Sequence, residues 1–338
     1  MEHNTKKMRR IILFLLLGVF AFLLSSCNKE IPKDEEQTTY VVSLNFVGDI
    51  SVSNEPLTKG TPTNDLYGIN VYYDGTEANN ISDIYAYGLF DNIGDMTIPL
   101  LSGHKYKFEC TLVKNGKTKL ESSNVGKYEA PFGQILQNQF IVGSNTVMSG
   151  IKVGKSRMKG DATDTETPKL DRYYGETTNY VPTVGGSVVI NLLRTVFGAK
   201  FIITGLVNDG TLTASCSKDA NTSSEKYWTL TTTENVEGSA IIYTFPDVYG
   251  CWANQQTYTL GGVVSTSYDS NRGSIWDISA TNNVTWKRNV LTTVTINMSP
   301  DQSGGGIVIT EEAMGTDNEI NVGINGDGVI DTDVEPKI

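Results

Sequence analysis

Apolar and polar residues alternate with period two along much of this 338-residue chain. Tyr40, Val42, Leu44 and Phe46 alternate with Val41, Ser43, Asn45 and Val47, which predicts a strand with one strongly apolar face. The same pattern puts Tyr106, Phe108, Cys110 and Leu112 on one face, opposite Lys105, Lys107, Glu109 and Thr111. Near the end, Val290, Thr292, Val294, Ile296 and Met298 alternate with Leu291, Thr293, Thr295 and Asn297. Between these lie "LYGINVYYDG", "IYAYGLFD", "SVVINLLRTVFGAKFIITG", "TLTASCS" and "SAIIYTF", all rich in β-branched and aromatic residues. Asn115-Gly116 follows one strand as a type I′ turn signal, since both central positions of that turn need positive φ. Helical periodicity is nearly absent. The pattern predicts an all-β chain built as two antiparallel β-sandwich domains in tandem, because short strands with one apolar face must pair those faces. The expected boundaries are 39–153 for the first domain, 154–186 for a polar linker or crossover, 187–300 for the second domain and 301–338 for an acidic tail.

The N-terminus departs from this pattern. Lys6, Lys7, Arg9 and Arg10 precede an uncharged, almost wholly apolar run from Ile11 to Leu24, too short at ~1.5 Å per residue to cross a hydrocarbon layer of ~30 Å. Charge, apolar length and small residues agree on a signal peptide over 1–26. Leu24-Ser25-Ser26-Cys27 resembles the bacterial lipobox. That resemblance implies that Cys27 is the first mature residue and carries thioether-linked diacylglycerol, with palmitate-type acylation of its amine. Several acyl chains at ~0.8 kcal/mol per buried methylene make a lasting anchor. Residues 27–38 then form a charged, lipidated tether. The expected location is the outer membrane, facing outward, with membrane lipid engaged through Cys27. Asp34, Glu35 and Glu36 behind the lipid resemble the export signal of surface lipoproteins in Bacteroides-type bacteria.

Charge narrows the partners. Net charge is −11. Loss of the signal peptide removes four of the 27 basic residues and one of the 38 acidic ones, leaving 23 and 37, or −14. That balance makes nucleic acid and bare anionic lipid poor partners, and no nucleic acid is expected. Catalytic chemistry has little to stand on. The chain has two histidines, His3 and His104. His3 leaves with the signal, and His104 sits in the turn-like "LSGHKYK", read as a solvated position. No enzyme activity and no cofactor are expected. Cys110 reads as a small core hydrophobe, whereas Cys216 and Cys251 form a candidate disulfide in an oxidising envelope. In "INGDGVIDTDVE", Asn325, Asp327 and Asp331 match positions three, five and nine of an acidic calcium loop. Positions one and twelve fall on Gly323 and Val334, so a turn is preferred to a metal site. The four tryptophans all lie in the second domain. Exposed, they would stack on sugar rings, which gives the alternative of a glycan-binding outer-membrane lipoprotein. Buried, they are core.

The stretch "EPLTKGTPTNDLYGINVYYDG", with "IYAYGLFD" and "DRYYGE" through "LLRTVFGAKF", resembles Bacteroides-type fimbrillins, the subunits of lipoprotein-derived pili. The likeness spans most of the chain and is one of texture and order. It implies a structural or adhesive pilus subunit, or a pilus anchor, with other pilus subunits and host or polysaccharide ligands as partners and a place on the fimbrium. It implies proteolytic processing at Lys59 and Gly60, which would free the strand carrying Tyr40, Val42, Leu44 and Phe46 from an apolar groove. A neighbouring subunit's C-terminal segment would then fill that groove by strand addition. The tail beyond Gly306, with Ile307, Ile309, Ile320, Val322 and Ile324, is the candidate donor. One departure matters: no arginine occurs between Arg10 and Arg157, so an arginine-specific protease would leave the first strand and its lipid in place.

Overall fold

The computed structural model describes residues 38–50, 62–75, 81–206, 210–217, 226–238, 240–270, 275–276, 282–298 and 305–314. The fold is all-β, in two sandwich halves that share one chain connection. The first half contains β1 (Thr39–Gly48), β2 (Leu66–Tyr73), β3 (Asp83–Phe90), β4 (Thr97–Leu101) and β5 (Tyr106–Val113). The two-residue pair β6 (Lys127–Tyr128) and β7 (Gln134–Ile135) follows, then β8 (Phe140–Val142), β9 (Arg172–Tyr180) and β10 (Ser187–Arg194). The second half contains β11 (Val196–Thr204), β12 (Gly210–Ser217), β13 (Lys226–Thr232), β14 (Val236–Glu237) and β15 (Ile241–Thr244). It ends with β16 (Thr259–Ser270), β17 (Ile275–Trp276), β18 (Asn282–Lys287), β19 (Val290–Met298) and β20 (Gly305–Ala313).

In the first half one hydrogen-bonded path runs β4-β1-β10-β9-β5-β2-β3-β8. It doubles back at β10. That strand pairs with β1 from Ser187 to Leu192 but with β9 only through Leu193 and Arg194. The two layers close over a shared core, with Val42, Leu44, Phe46, Ile98, Val188 and Ile190 on one side and Ile69, Val71, Phe108 and Cys110 on the other. Alternation on β1 from Val41 to Val47 and on β10 from Ser187 to Leu192 follows from having one face in this core and one in water.

The central strands β5 and β9 do not alternate. Glu109 and Thr111 are as buried as Phe108 and Cys110, because the excursion between β5 and β9 folds back over the outer face of the sheet. Leu120, Tyr128, Phe132, Met148, Ile151 and Leu170 pack there against Leu66, Leu89 and Val113. Gly68 permits this approach: a Cβ on it would lie 2.6 Å from the Phe132 ring. The expected type I′ turn at Asn115-Gly116 is corrected. Asn115 is left-handed at φ 53, but a short helix, Gly116–Lys119, follows it in place of a partner strand.

The second half packs two sheets. One runs β14-β11-β19-β20, with β15 also on β11; the other runs β13-β12-β16-β17, with β18 also on β16. Phe197, Phe201, Leu212, Tyr243, Val264, Trp286, Val294 and Ile296 fill the space between them. Many pairings are antiparallel, as expected, but β1 pairs with β10 and β11 with β19 in parallel.

The expected linker over 154–186 is corrected as well. It contains β9, a central strand of the first sheet, and β10 belongs to that sheet too. Thr195 alone separates β10 from β11. Hydrogen bonds tie the halves around it. The Thr195 hydroxyl donates to Arg172 O at 3.1 Å, Phe245 N to Thr195 O at 3.1 Å, and Gly154 N to Pro246 O at 2.8 Å.

Candidate functional site

The first strand of the described chain is an interior strand. β1 lies between β4 and β10. Its inward residues Val42, Leu44 and Phe46 are 1%, 2% and 6% exposed, whereas outward Val41 is 64% exposed. Tyr40 is half-buried at the mouth. Parallel register sets Leu44 beside Val188 and Phe46 beside Ile190. On the other side the Leu44 N–H donates to Met96 O at 3.0 Å, and the Phe46 ring stacks on Tyr67 at 5.4 Å between centroids. The slot is therefore specified twice, by backbone partners on both edges and by pockets that accept every second side chain.

The slot's outer neighbour, β4, ends the strand order of this sheet. β4 carries Pro99, which has no N–H to offer. Two buried tyrosines cap part of it: Tyr85 Oη donates to Pro99 O at 2.7 Å, and the Leu101 N–H donates to Tyr106 Oη at 2.9 Å. Burial pushes both phenols up, so they stay protonated.

At the end of β1 the chain is pinned. Gly48 has φ +115, and a Cβ there would meet Leu192 O at 2.3 Å, so glycine is required. Next to it Asp49 N donates to Leu192 O at 2.9 Å. The Asp49 carboxylate accepts from the Arg194 N–H at 3.0 Å and from Arg288 Nη1 at 2.5 Å. Arg194 itself forks onto both oxygens of Asp171 at 2.8 and 3.0 Å.

Charge is also buried where the sequence suggested a solvated face. Glu109 and Glu176 are cross-strand partners on β5 and β9. Lys107 and Lys152 approach Glu109 Oε1 at 2.6 and 2.7 Å, and Tyr72 Oη donates to its Oε2 at 3.1 Å. Lys152 also reaches Glu176 at 3.2 Å, and Tyr174 Oη donates to that carboxylate at 2.5 Å. Burial and the Glu109 charge push the Tyr72 phenol up to about 12. Burial works against the Lys152 ammonium, but the two carboxylates outweigh it and hold its pKa above the usual range. Both oxygens of Glu109 have partners, an arrangement that stiffens the sheet. Arg172, fully buried, donates to Thr111 Oγ1 at 3.0 Å and to the carbonyls of Val153, Gly150 and Ile151 at 2.5, 2.9 and 2.8 Å. It staples the covering excursion to the sheet. None of these roles was signalled by alternation, because both faces of β5 and β9 are covered.

The remaining expected sites fall out as follows. Cys27, Lys59, Gly60, Asn325, Asp327 and Asp331 lie outside the described residues, as do Ile320, Val322 and Ile324. Cys216 and Cys251 are both buried in the core of the second half. Cys216 Sγ closes over Gly262 beside Trp286 Nε1, whereas Cys251 sits on the short helix Val248–Ala253, where burial pushes its thiol up to about 12. Ile307 and Ile309 are taken up by β20 and pack on the core of their own second half. Trp286 is fully buried, and Trp252 is half-buried against Tyr174 and Tyr249, with ring centroids 5.6 and 5.9 Å away. His104 is not freely solvated, since its Nδ1 lies 2.7 Å from Asp74 Oδ1. Among the described residues no three His, Cys, Asp or Glu side chains are grouped to hold a metal ion.

No family model matches the sequence, and no curated protein matches it. Solved structures do align along most of the chain. The fimbrial anchor protein Mfa2 of Porphyromonas gingivalis is 11% identical, with 82% of this chain and 98% of that one covered and a TM-score of 0.35. The tip fimbrial protein Mfa3 of the same organism, truncated at its C-terminus, is 10% identical, with 82% and 100% covered and a TM-score of 0.34. A candidate cell adhesion protein of Bacteroides eggerthii is 9% identical, with 82% and 96% covered and a TM-score of 0.35.

Proposed function

We propose that this chain is a lipid-anchored surface protein of the fimbrillin kind, a structural or adhesive pilus subunit or pilus anchor that assembles by β-strand complementation. One observation carries the reading: the first strand, directly after the tether, occupies an interior slot shaped for a single strand. Withdrawal of β1 would uncover the backbone groups of β4 and β10 and the pockets of Val42, Leu44 and Phe46 together. Such a slot demands a replacement strand, and a second chain can supply one. Cys27 holds the lipid in this reading, and Lys59-Gly60 is where β1 would be cut away. With no arginine in that loop, a retained β1 and lipid favour the anchor or an accessory position over a repeating shaft subunit.

The test is the mature N-terminus, determined by mass spectrometry on protein from intact cells, with unheated gels run alongside. A start at Gly60 with a ladder of assemblies supports a shaft subunit. Lipidated Cys27 within a stable complex supports an anchor. A uniform lipidated start with monomer alone overturns assembly, and failure of labelled palmitate to distinguish the unmodified chain from Cys27→Ser overturns the anchor.

A further inference from the structure

The turn between β18 and β19 touches three separate parts of the molecule through two residues. Arg288 Nη1 meets the Asp49 carboxylate at the end of β1 and also donates to Arg194 O at 3.2 Å, at the junction of the halves. Arg288 is 16% exposed and Asp49 24%, so the pair is largely sheltered from solvent. Asn289 holds a left-handed φ of 54. Its N–H donates to Val196 O at 2.8 Å, and its carbonyl accepts from the Met314 N–H at 3.0 Å. Met314 follows the last residue of β20 and is buried with Val196 and Ile242. The end of the first strand and the end of the last described strand therefore bear on the same two-residue turn. The left-handed Asn289 sets the shape of that turn, which directs its N–H to Val196 O and its carbonyl to the Met314 N–H.

We infer that the Arg288–Asn289 turn is a relay that links the seating of β1 to the anchoring of the chain at Met314. With β1 seated, Asp49 fixes Arg288, the turn keeps its shape, and the Asn289 carbonyl holds the Met314 N–H. When Asp49 departs with β1, Arg288 loses its carboxylate and the Arg194 N–H loses its acceptor. The turn relaxes, and the end of β20 is released. This rests on the reading of β1 as a removable strand for its biological use, but the coupling itself is a property of one chain in solution.

Hydrogen–deuterium exchange on the full lipid-free chain tests it, comparing the unmodified protein with Asp49→Ala and Arg288→Ala. Both variants leave Val42, Leu44 and Phe46 in place. The expected result is roughly tenfold faster exchange at the amides of Asn289 and Met314 in either variant, with β1 protection from Val42 to Phe46 retained. The double variant should exchange no faster than the singles, because one relay has been cut twice. Unchanged exchange at Met314 in Asp49→Ala overturns the relay. So does uniform acceleration across β1, β11 and β19, which would mark general loosening. The measurement needs no polymer, so a chain that never assembles can pass it and a chain that assembles can fail it.

Discussion

Leu44→Ala is the sharpest test of the idea that β1 is a structural component of the first half and not a decoration. Leu44 is 2% exposed, stands beside Val188 in the parallel ladder and belongs to the main core. Truncating such a residue removes about three carbons from the core and leaves a cavity, costing about 2–5 kcal/mol. Val41→Ala on the outward face of the same strand should stay within ~0.5 kcal/mol. The larger significance lies in the sum. Burying Val42, Leu44 and Phe46 contributes roughly 1.5–3 kcal/mol each, so about 5–9 kcal/mol for the strand. A whole domain is stable by only ~5–15 kcal/mol. Loss of β1 without a substitute would thus use up most of the stability of the first half, and a replacement strand would be required rather than optional. The assay is urea unfolding of the lipid-free chain, followed by far-ultraviolet circular dichroism and by fluorescence. Both probes are needed, since every tryptophan lies beyond the first half in sequence and Trp252 packs against Tyr174 of β9, so fluorescence reports mainly on the second half and the junction. If Leu44→Ala costs no more than Val41→Ala, β1 is not a core strand and the complementation argument falls.

Three further outcomes follow from the geometry. Arg172→Lys should cost at least about 2 kcal/mol in urea unfolding, because one ammonium cannot serve the four acceptors that the guanidinium spans; a loss below ~0.5 kcal/mol would show that the staple is idle. Gly154→Ala places a Cβ 2.0 Å from Phe245 O at the junction of the halves. It should cost roughly 1–3 kcal/mol and separate the circular dichroism transition from the fluorescence transition, and a single coincident transition at the unmodified midpoint would refute it. Burial opposes ionisation of Asp74, but the His104 hydrogen bond and the Lys105 N–H outweigh it and hold the carboxyl below the usual aspartate range. Its contribution is therefore full above the unfolded value of about 4 and is lost as pH falls through the lower folded value. Asp74→Asn should flatten the acid limb of the stability profile; an unchanged limb would place the acid sensitivity elsewhere.

Much of this was legible from alternation where one face of a strand meets water. Val42, Leu44 and Phe46 are buried as their spacing indicates, and so are Thr292, Val294, Ile296 and Met298 on β19. The reading lost its grip where both faces are covered. Arg172, Tyr173, Tyr174 and Gly175 are buried in succession, so β9 shows no period and passed for linker. Its covering layer packs through Leu120, Tyr128, Phe132, Met148, Ile151 and Leu170, which fall at irregular intervals along the chain, and is held by Arg172 and Lys152 through carbonyls and carboxylates. Glu109 looked solvent-facing for the same reason. Asn115 correctly signalled a left-handed position, but residue type does not tell a hairpin from a helical turn when the chain after it crosses the sheet. The slot around β1 was implied by order along the chain, whereas its neighbours were not: β10 lies far away in sequence, and only the tertiary structure brings it alongside.

That distance has a consequence for how the molecule forms during synthesis. Asp49 and Arg194, which meet where β1 and β10 end, are 145 positions apart. Loop closure over such a span makes this contact late and slow relative to the hairpin of β2 and β3. β1 is therefore made before its neighbour β10 and must wait for it before both of its edges can pair. Until that late strand arrives, the nascent chain keeps one half of the sheet unfinished.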